Sequence, residues 1–179
     1  VGLLTPDAGS VSVDGQVVHE LDREGLTALR SRIGYGFQFS ALFDSMSIED
    51  NLRLGLARRD LSEDEMQERV EQSLRLVGLS GTEKQFPSEL SGGMRKRVGV
   101  ARAIALRPRY ILYDEPTTGL DPVTSAVIDQ LMVRVREELG TTAIVVTHDI
   151  RSAYTVGDRI AMRYEGRIRQ VGTVQEIQQ

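Results

Sequence analysis

Apolar and polar positions along the chain change period several times, and each change predicts an element. Ser10-Val11-Ser12-Val13 alternates before Asp14-Gly15, and Gln16-Val17-Val18 resumes, which predicts a β-hairpin. Asp22 stands at an N-cap position and predicts a short helix through Arg32. Ile33-Gly34-Tyr35-Gly36-Phe37 then reads as a strand that opens into a loop at Gln38. Ser47, with Asp50 at the capping-box position, predicts a helix over 48–57. Ser62 precedes Glu63-Asp64-Glu65 and an apolar series of Met66, Val70, Leu74 and Val77, an amphipathic helix that Gly78 ends.

After Leu90-Ser91-Gly92-Gly93, residues 94–106 carry a strong helical pattern that Arg107-Pro108 stops. Tyr110-Ile111-Leu112-Tyr113 is almost continuously apolar and ends in Asp114-Glu115-Pro116, as expected of a buried parallel strand that delivers carboxylates at its C-terminal tip. Residues 123–139 read as a helix closed by Gly140. Ala143-Ile144-Val145-Val146 reads as a second buried strand, ending at Thr147-His148-Asp149. A short helix over 150–156 follows. Residues 158–163 and 167–171, joined at Glu165-Gly166, form a hairpin-like pair before a helical turn near 173–177. Strand–helix–strand order in the second half gives an α/β core, whereas the stretch from about 41 to 106 reads as helical throughout. The expected organisation is one domain over 1–179, with an α/β core and its hairpins from 1–40 and 107–179 and an inserted helical lobe from 41–106.

Composition narrows the classes without choosing among them. Length, 40% hydrophobic and 27% charged residues suit a globular domain, and no apolar run approaches a membrane span. Twenty-two Lys and Arg against 26 Asp and Glu give a net charge of −4, so no nucleic-acid partner is expected. Zero Cys excludes disulfides, thiolate metal sites and a Cys nucleophile and fits a reducing, cytosolic compartment; the two histidines, His19 and His148, make no zinc site without carboxylate help. The opening Val1-Gly2-Leu3-Leu4-Thr5-Pro6 lacks the charged and apolar regions of a secretory signal.

Chemistry concentrates at strand tips and one helix start. Open α/β sheets bind ligands at the C-terminal edge of the strands, where Asp114-Glu115 and His148-Asp149 fall. Adjacent carboxylates there divide labour, one holding a hydrated Mg²⁺ and the next orienting or deprotonating a water, while a nearby His bonds a terminal phosphate. Ser91-Gly92-Gly93 at a helix start offers free N–H groups and a hydroxyl to an anion. Taken singly, each string has a bland reading too: a turn carboxylate pair, a loop with a cap, and, for Arg95-Lys96-Arg97, the solvated face of a helix.

Taken together, the strings from Leu90 to Val98, Ala101 to Pro108, Ile111 to Pro122 and Thr147 to Asp149 closely resemble the ATP-binding-cassette (ABC) ATPases, over essentially the whole chain. The resemblance implies a P-loop NTPase core of ABC type and assigns roles by motif. Residues 90–94 match the signature, 110–114 the Walker B strand, Glu115 the catalytic glutamate, 119–121 the D-loop, His148 the switch histidine and Gln38 the Q-loop glutamine. ATP and Mg²⁺ are the implied cofactors: Asp114 and Gln38 hold the metal, Glu115 polarises water, His148 contacts the γ-phosphate, and Ser91, Gly92 and Gly93 reach the ATP of a second subunit. Asp121 communicates across that dimer. A membrane permease is the implied partner, with the chain at the cytoplasmic face of the membrane.

Ser40-Ala41-Leu42-Phe43-Asp44-Ser45-Met46, Ser91 to Val98 with its Gly-Met-Arg-Lys-Arg run, and Tyr113 to Pro122 are most similar to the ATPases of MCE/Mla-type phospholipid transporters, which implies an MCE-type lipid-binding partner. Amino-acid importers share much of this wording. Gly36, where a bulkier apolar residue is usual, and Phe39 depart from the pattern. No G-x-x-x-x-G-K-S/T string occurs. The expectation is a core incomplete by the P-loop strand and helix, beginning just after them, so that residues 143–146 lie at an unpaired sheet edge. The rival reading is a non-hydrolysing interaction module; a DNA-repair or translation ABC protein fits less well, since neither coiled-coil insertion nor tandem cassette is present.

Overall fold

A computed structural model of the chain describes residues 1–178. The hairpin of β1 (Ser12–Val13) and β2 (Gln16–Val17) turns on Asp14 and Gly15, at φ 51° and 76°, the left-handed pair that a two-residue hairpin requires. Helix α1 (Arg23–Arg30) starts where Asp22 accepts the Gly25 N–H. It leads into β3 (Ile33–Gly36). Helices α2 (Ile48–Leu56), α3 (Glu63–Leu76) and α4 (Gly92–Ala105) make the helical lobe. Their caps differ in an instructive way. At α3 Ser62 and Glu65 exchange both bonds of a capping box, whereas at α2 the Asp50 carboxylate, one methylene shorter, accepts from the Ser47 hydroxyl at 2.6 Å and does not reach the Ser47 N–H.

The remaining elements follow as β4 (Tyr110–Asp114), α5 (Pro122–Leu139), β5 (Thr142–Val146), α6 (Ile150–Val156), β6 (Arg159–Tyr164), β7 (Arg167–Thr173) and α7 (Val174–Ile177). Gly140, at φ 60°, closes α5 in the left-handed conformation that glycine adopts without penalty. Strands β3, β4 and β5 form a parallel sheet in that order, in register Gly36↔Tyr113↔Val145. Glu165 and Gly166 turn the separate β6–β7 ribbon. The chain is an α/β domain, as its pattern of elements predicts.

One apolar cluster joins lobe and sheet: Ile48, Leu52 and Leu56 of α2, Val70 and Leu74 of α3, Val98 and Ile104 of α4, Ile111 and Tyr113 of β4, and Ile128 and Val135 of α5. Helix α4 is central to it, buried from Val98 to Ala105 except at Arg102.

The sequence reading of β5 as a buried strand is corrected. Ala143 and Val145 pack on the cluster, but Ile144 and Val146 are 62% and 57% exposed on the opposite face. Among the described residues β5 pairs only with β4, so the expectation of a free strand edge holds. No helix among the described residues is long and apolar enough to cross a membrane.

Candidate functional site

Parallel pairing carries β3, β4 and β5 to a common C-terminal edge, where Glu115 and His148, just beyond β4 and β5, meet. The Glu115 N–H donates to the Val146 carbonyl at 2.9 Å, which continues the β4–β5 ladder one residue past the strand. Glu115 itself is left-handed, at φ 47°. A non-glycine residue held there costs about 1 kcal/mol or more, and the strain turns the chain sharply at the strand tip. His148 Nδ1 donates to Glu115 Oε2 at 2.8 Å, and the Thr118 hydroxyl donates to the same oxygen at 3.0 Å.

The electrostatics follow from these contacts. Desolvation acts on Glu115 first and pushes its carboxyl up, but the bonds from His148 and Thr118 outweigh it and the net shift is downward. The bond to Glu115 raises His148, with the charge of that carboxylate next in order. The tip of β4 therefore carries an ionised carboxylate against an exposed imidazole that favours its protonated form.

Asp114 lies beside this pair. Tyr35 on β3 donates its hydroxyl to Asp114 Oδ2 at 3.2 Å, and no described residue hydrogen-bonds the other carboxylate oxygen. Burial, then the Asp114 charge, raise the Tyr35 phenol. Gln38 follows β3 in the loop at the same edge. Its backbone carbonyl accepts from Lys96 Nζ, while its side-chain amide has no described protein partner. Mg²⁺ takes hard oxygen ligands, commonly one or two from protein with water and phosphate completing the shell. A carboxylate with an uncommitted oxygen and a free amide at one sheet edge fit that requirement.

Ser91, Gly92, Gly93 and Asp121 are brought together elsewhere. They line a cleft of about 450 Å³ between the start of α4 and residues 119–128. Ser91 caps α4 by accepting the Met94 N–H at 3.2 Å, and the Gly92 and Gly93 N–H groups occupy the first helical positions, where the helix itself offers no acceptor. A Cβ on Gly93 would sit 2.6 Å from Thr124 Cγ2, so the first turn of α5 requires glycine there; at Gly92 the space is open to solvent. Asp121 caps α5, accepting from the Val123 and Thr124 N–H groups at 3.0 Å. The Thr124 hydroxyl leads the contacts that hold its carboxyl low.

Reading Arg95-Lys96-Arg97 as a solvated face is incomplete: Arg95 is exposed and Lys96 and Arg97 are half-buried, but all three side chains are engaged with backbone. Arg95 donates to the Leu90 carbonyl, Lys96 to that of Gln38, and Arg97 to those of Val77 and Gly78 at the end of α3. Each cation of the run holds a different backbone segment, which a charge count along one helix does not reveal. Tyr35 and Thr118 were also missed as partners of Asp114 and Glu115. A threonine three residues after a strand-tip carboxylate is a legible signal for Thr118; Tyr35 follows only once the β3–β4 register is known.

Comparison with known proteins is consistent with this arrangement. The ABC transporter family model matches residues 1–118. The chain is 44% identical over 165 residues to the probable ribonucleotide transport ATP-binding protein mkl of Mycobacterium tuberculosis, a match covering 92% of this chain and 46% of that protein. It is 38% identical over 176 residues to the methionine import ATP-binding protein MetN of Carboxydothermus hydrogenoformans, covering 98% of this chain and 52% of that one. The chain thus spans about half the length of the curated relatives it matches. Among solved structures, the dimeric ATP-binding cassette MJ0796 in a post-hydrolysis state bound to ADP and Pi superposes with a TM-score of 0.83 at 35% identity, covering 97% of this chain and 76% of that one. The cbiO1 protein of Clostridium perfringens, part of the ABC transporter complex cbiONQ, superposes at 0.91 and 33% identity, covering 98% and 70%. On sequence and fold alike, the chain belongs to the ABC transporter family of ATP-binding cassettes.

Proposed function

We propose that this chain supplies the water-activating and partner-facing residues of an ATP-hydrolysing subunit that powers import of a small solute through a separate membrane permease. The observation that carries the reading is the meeting of Glu115 and His148 at the tips of β4 and β5, beside Asp114 and apart from the Ser91–Asp121 cleft. In this reading Glu115 accepts the proton of the attacking water, and His148 moves from Glu115 to the terminal phosphate when nucleotide arrives. Asp114 and the Gln38 amide hold Mg²⁺, which when bound offsets phosphate charge. Ser91, Gly92 and Gly93 present N–H groups to the nucleotide of a second subunit, and Asp121 lies along that interface. The lobe over 41–106 faces the permease at the cytoplasmic side of the membrane.

Three similar proteins are named for ribonucleotide transport, methionine import and glycine betaine transport, which favours a small polar solute over phospholipid. The Gly-Met-Arg-Lys-Arg run that suggested an MCE-type system, with a lipid-binding partner, is engaged with backbone carbonyls of this chain, and the names of these relatives lend that system no support.

No phosphate-cradling G-x-x-x-x-G-K-S/T string lies in these 179 residues, so the chain by itself is expected to bind Mg-ATP weakly and not to turn it over. Calorimetric titration checks this, and a micromolar dissociation constant overturns it. In a polypeptide joining these residues to a family phosphate loop, Glu115→Gln is expected to abolish turnover and keep nucleotide binding. Near-normal turnover in that variant removes Glu115 as the base.

A further inference from the structure

The turn that carries Gln38 is built from residues that disfavour its shape. Ser40 and Ala41 are both left-handed, at φ 61° and 46°, and neither is glycine. Two successive side-chain-bearing residues in that region do not hold it by local preference, so the surroundings must impose it. Only one backbone bond closes the turn from within, from the Ser40 N–H to the Phe37 carbonyl at 3.0 Å.

The imposed contacts come from a single stripe of α4. Lys96 donates to the Gln38 carbonyl, and Arg102 donates to the carbonyls of Ser40 and Ala41 at 2.7 and 2.6 Å. Between them, Gly99 lets the turn lie against the helix: a Cβ there would stand 3.2 Å from Ser40 Cβ and 3.3 Å from its Cα. Positions 96, 99 and 102 recur every three residues and so share one helix face. Three carbonyls of one strained turn are thus held by the helix whose first residues line the Ser91–Asp121 cleft.

We propose that Lys96 and Arg102 form a cationic clamp that fixes the backbone of residues 38–41 to α4, making Lys96 a positioning residue for the Gln38 side chain. The clamp makes the position of Gln38 depend on the placement of α4. The functional half of this inference rests on Gln38 as a metal ligand in the proposed ATPase. The clamp itself is independent of that reading and is tested without nucleotide.

The test is residue-resolved amide hydrogen exchange on the whole 179-residue chain and three variants. Lys96→Met keeps the stem of the side chain and removes its charge and donors, Lys96→Arg keeps both, and Arg102→Met removes the second cation. In Lys96→Met the Ser40 amide is expected to exchange roughly tenfold faster while amides of α4 from Val98 to Ala105 keep their protection, and Lys96→Arg is expected to restore most of the difference. Unchanged exchange at Ser40 in both Met variants overturns the clamp. Equal acceleration across α4 also overturns it, since the cations would then be stabilising the lobe at large. If the exchange result holds while the loop-bearing polypeptide shows no ATP turnover, the ATPase reading fails and the clamp stands.

Discussion

His148 Nδ1 and Glu115 Oε2 lie 2.8 Å apart across the tips of two parallel strands, so the carboxylate proposed to activate water is already engaged by the residue proposed to greet the phosphate. The pair raises His148 above 6.5 and lowers Glu115 below 4.5. By linkage, the His148 contribution to stability is complete below 6.5 and is lost as pH rises through the raised value; the Glu115 contribution is complete above 4.5 and is lost as pH falls through the lowered one. Both are present between those limits.

NMR titration of the imidazole resonances reads this directly, because only His19 and His148 contribute them and His19→Asn assigns the pair. Glu115→Gln is expected to bring the His148 midpoint back toward that of a free imidazole. An unmoved midpoint means that the two side chains do not pair in solution.

Gly36 and Tyr113 are register partners on β3 and β4, and each explains the other. A Cβ on Gly36 would stand 2.9 Å from Tyr113 Cδ1, and Tyr113 is almost fully buried with a hydroxyl that has no hydrogen-bond partner. Burial raises that phenol far above its usual value. Gly36→Val is expected to destabilise the chain by about 1–3 kcal/mol through overpacking. Tyr113→Phe, which removes only the unpaired hydroxyl, should be neutral or stabilising by up to about 1 kcal/mol. Urea unfolding of both variants decides: a costly Tyr113→Phe would show that the hydroxyl is satisfied.

Much of this architecture was legible in the residues. Ser62 with Glu65 marks a helix start through side-chain bonds to neighbouring backbone, and Gly140 after Leu139 marks a helix end through the left-handed conformation that glycine adopts without penalty; both signals are local and therefore readable. The strand-tip residues Asp114, Glu115 and His148 were readable for a similar reason, since a short apolar run ending in charge is a local pattern. What escaped was long-range. Ile144 and Val146 look buried by composition, yet burial depends on what lies across the sheet. Lys96 looks solvated by its neighbours in sequence, yet its acceptor lies 58 positions away. The departure at Gly36 became intelligible only once Tyr113 was placed opposite it.

Asp129 sits in α5 at 5% exposure, with Oδ2 accepting from the Ser152 hydroxyl at 2.9 Å and Oδ1 without a partner. Desolvation raises its pKa above 3.8. For a carboxyl raised in the folded state the sign is opposite to that of Glu115: the native chain holds the proton longer, so stability falls as pH rises from 3.8 through the raised value and levels off above it. Asp129→Asn removes this titration and should flatten that portion of the profile, with the variant gaining on the parent toward neutral pH. Thermal unfolding measured between acid and neutral pH checks it, and parallel profiles for the two proteins would exclude Asp129 as the titrating group.

The last prediction concerns the outer edge of β5. Among the described residues this strand has a neighbour on one side only, and its solvent face presents Ile144 and Val146, with Ile150 64% exposed just beyond. An apolar strand with a free row of N–H and C=O groups is a template for pairing with another chain. Neither Pro nor Lys interrupts residues 142–146, so the residues that commonly blunt such an edge are missing from it. The 179-residue chain is therefore expected to self-associate as its concentration rises. Val146→Lys places a charge on the exposed face while leaving the β4 register and the inward packing of Ala143 and Val145 in place, and should shift the chain toward monomer. Sedimentation velocity at several concentrations distinguishes the outcomes: if the parent stays monomeric throughout, or if Val146→Lys associates as strongly as the parent, this edge is not the surface through which the chain pairs.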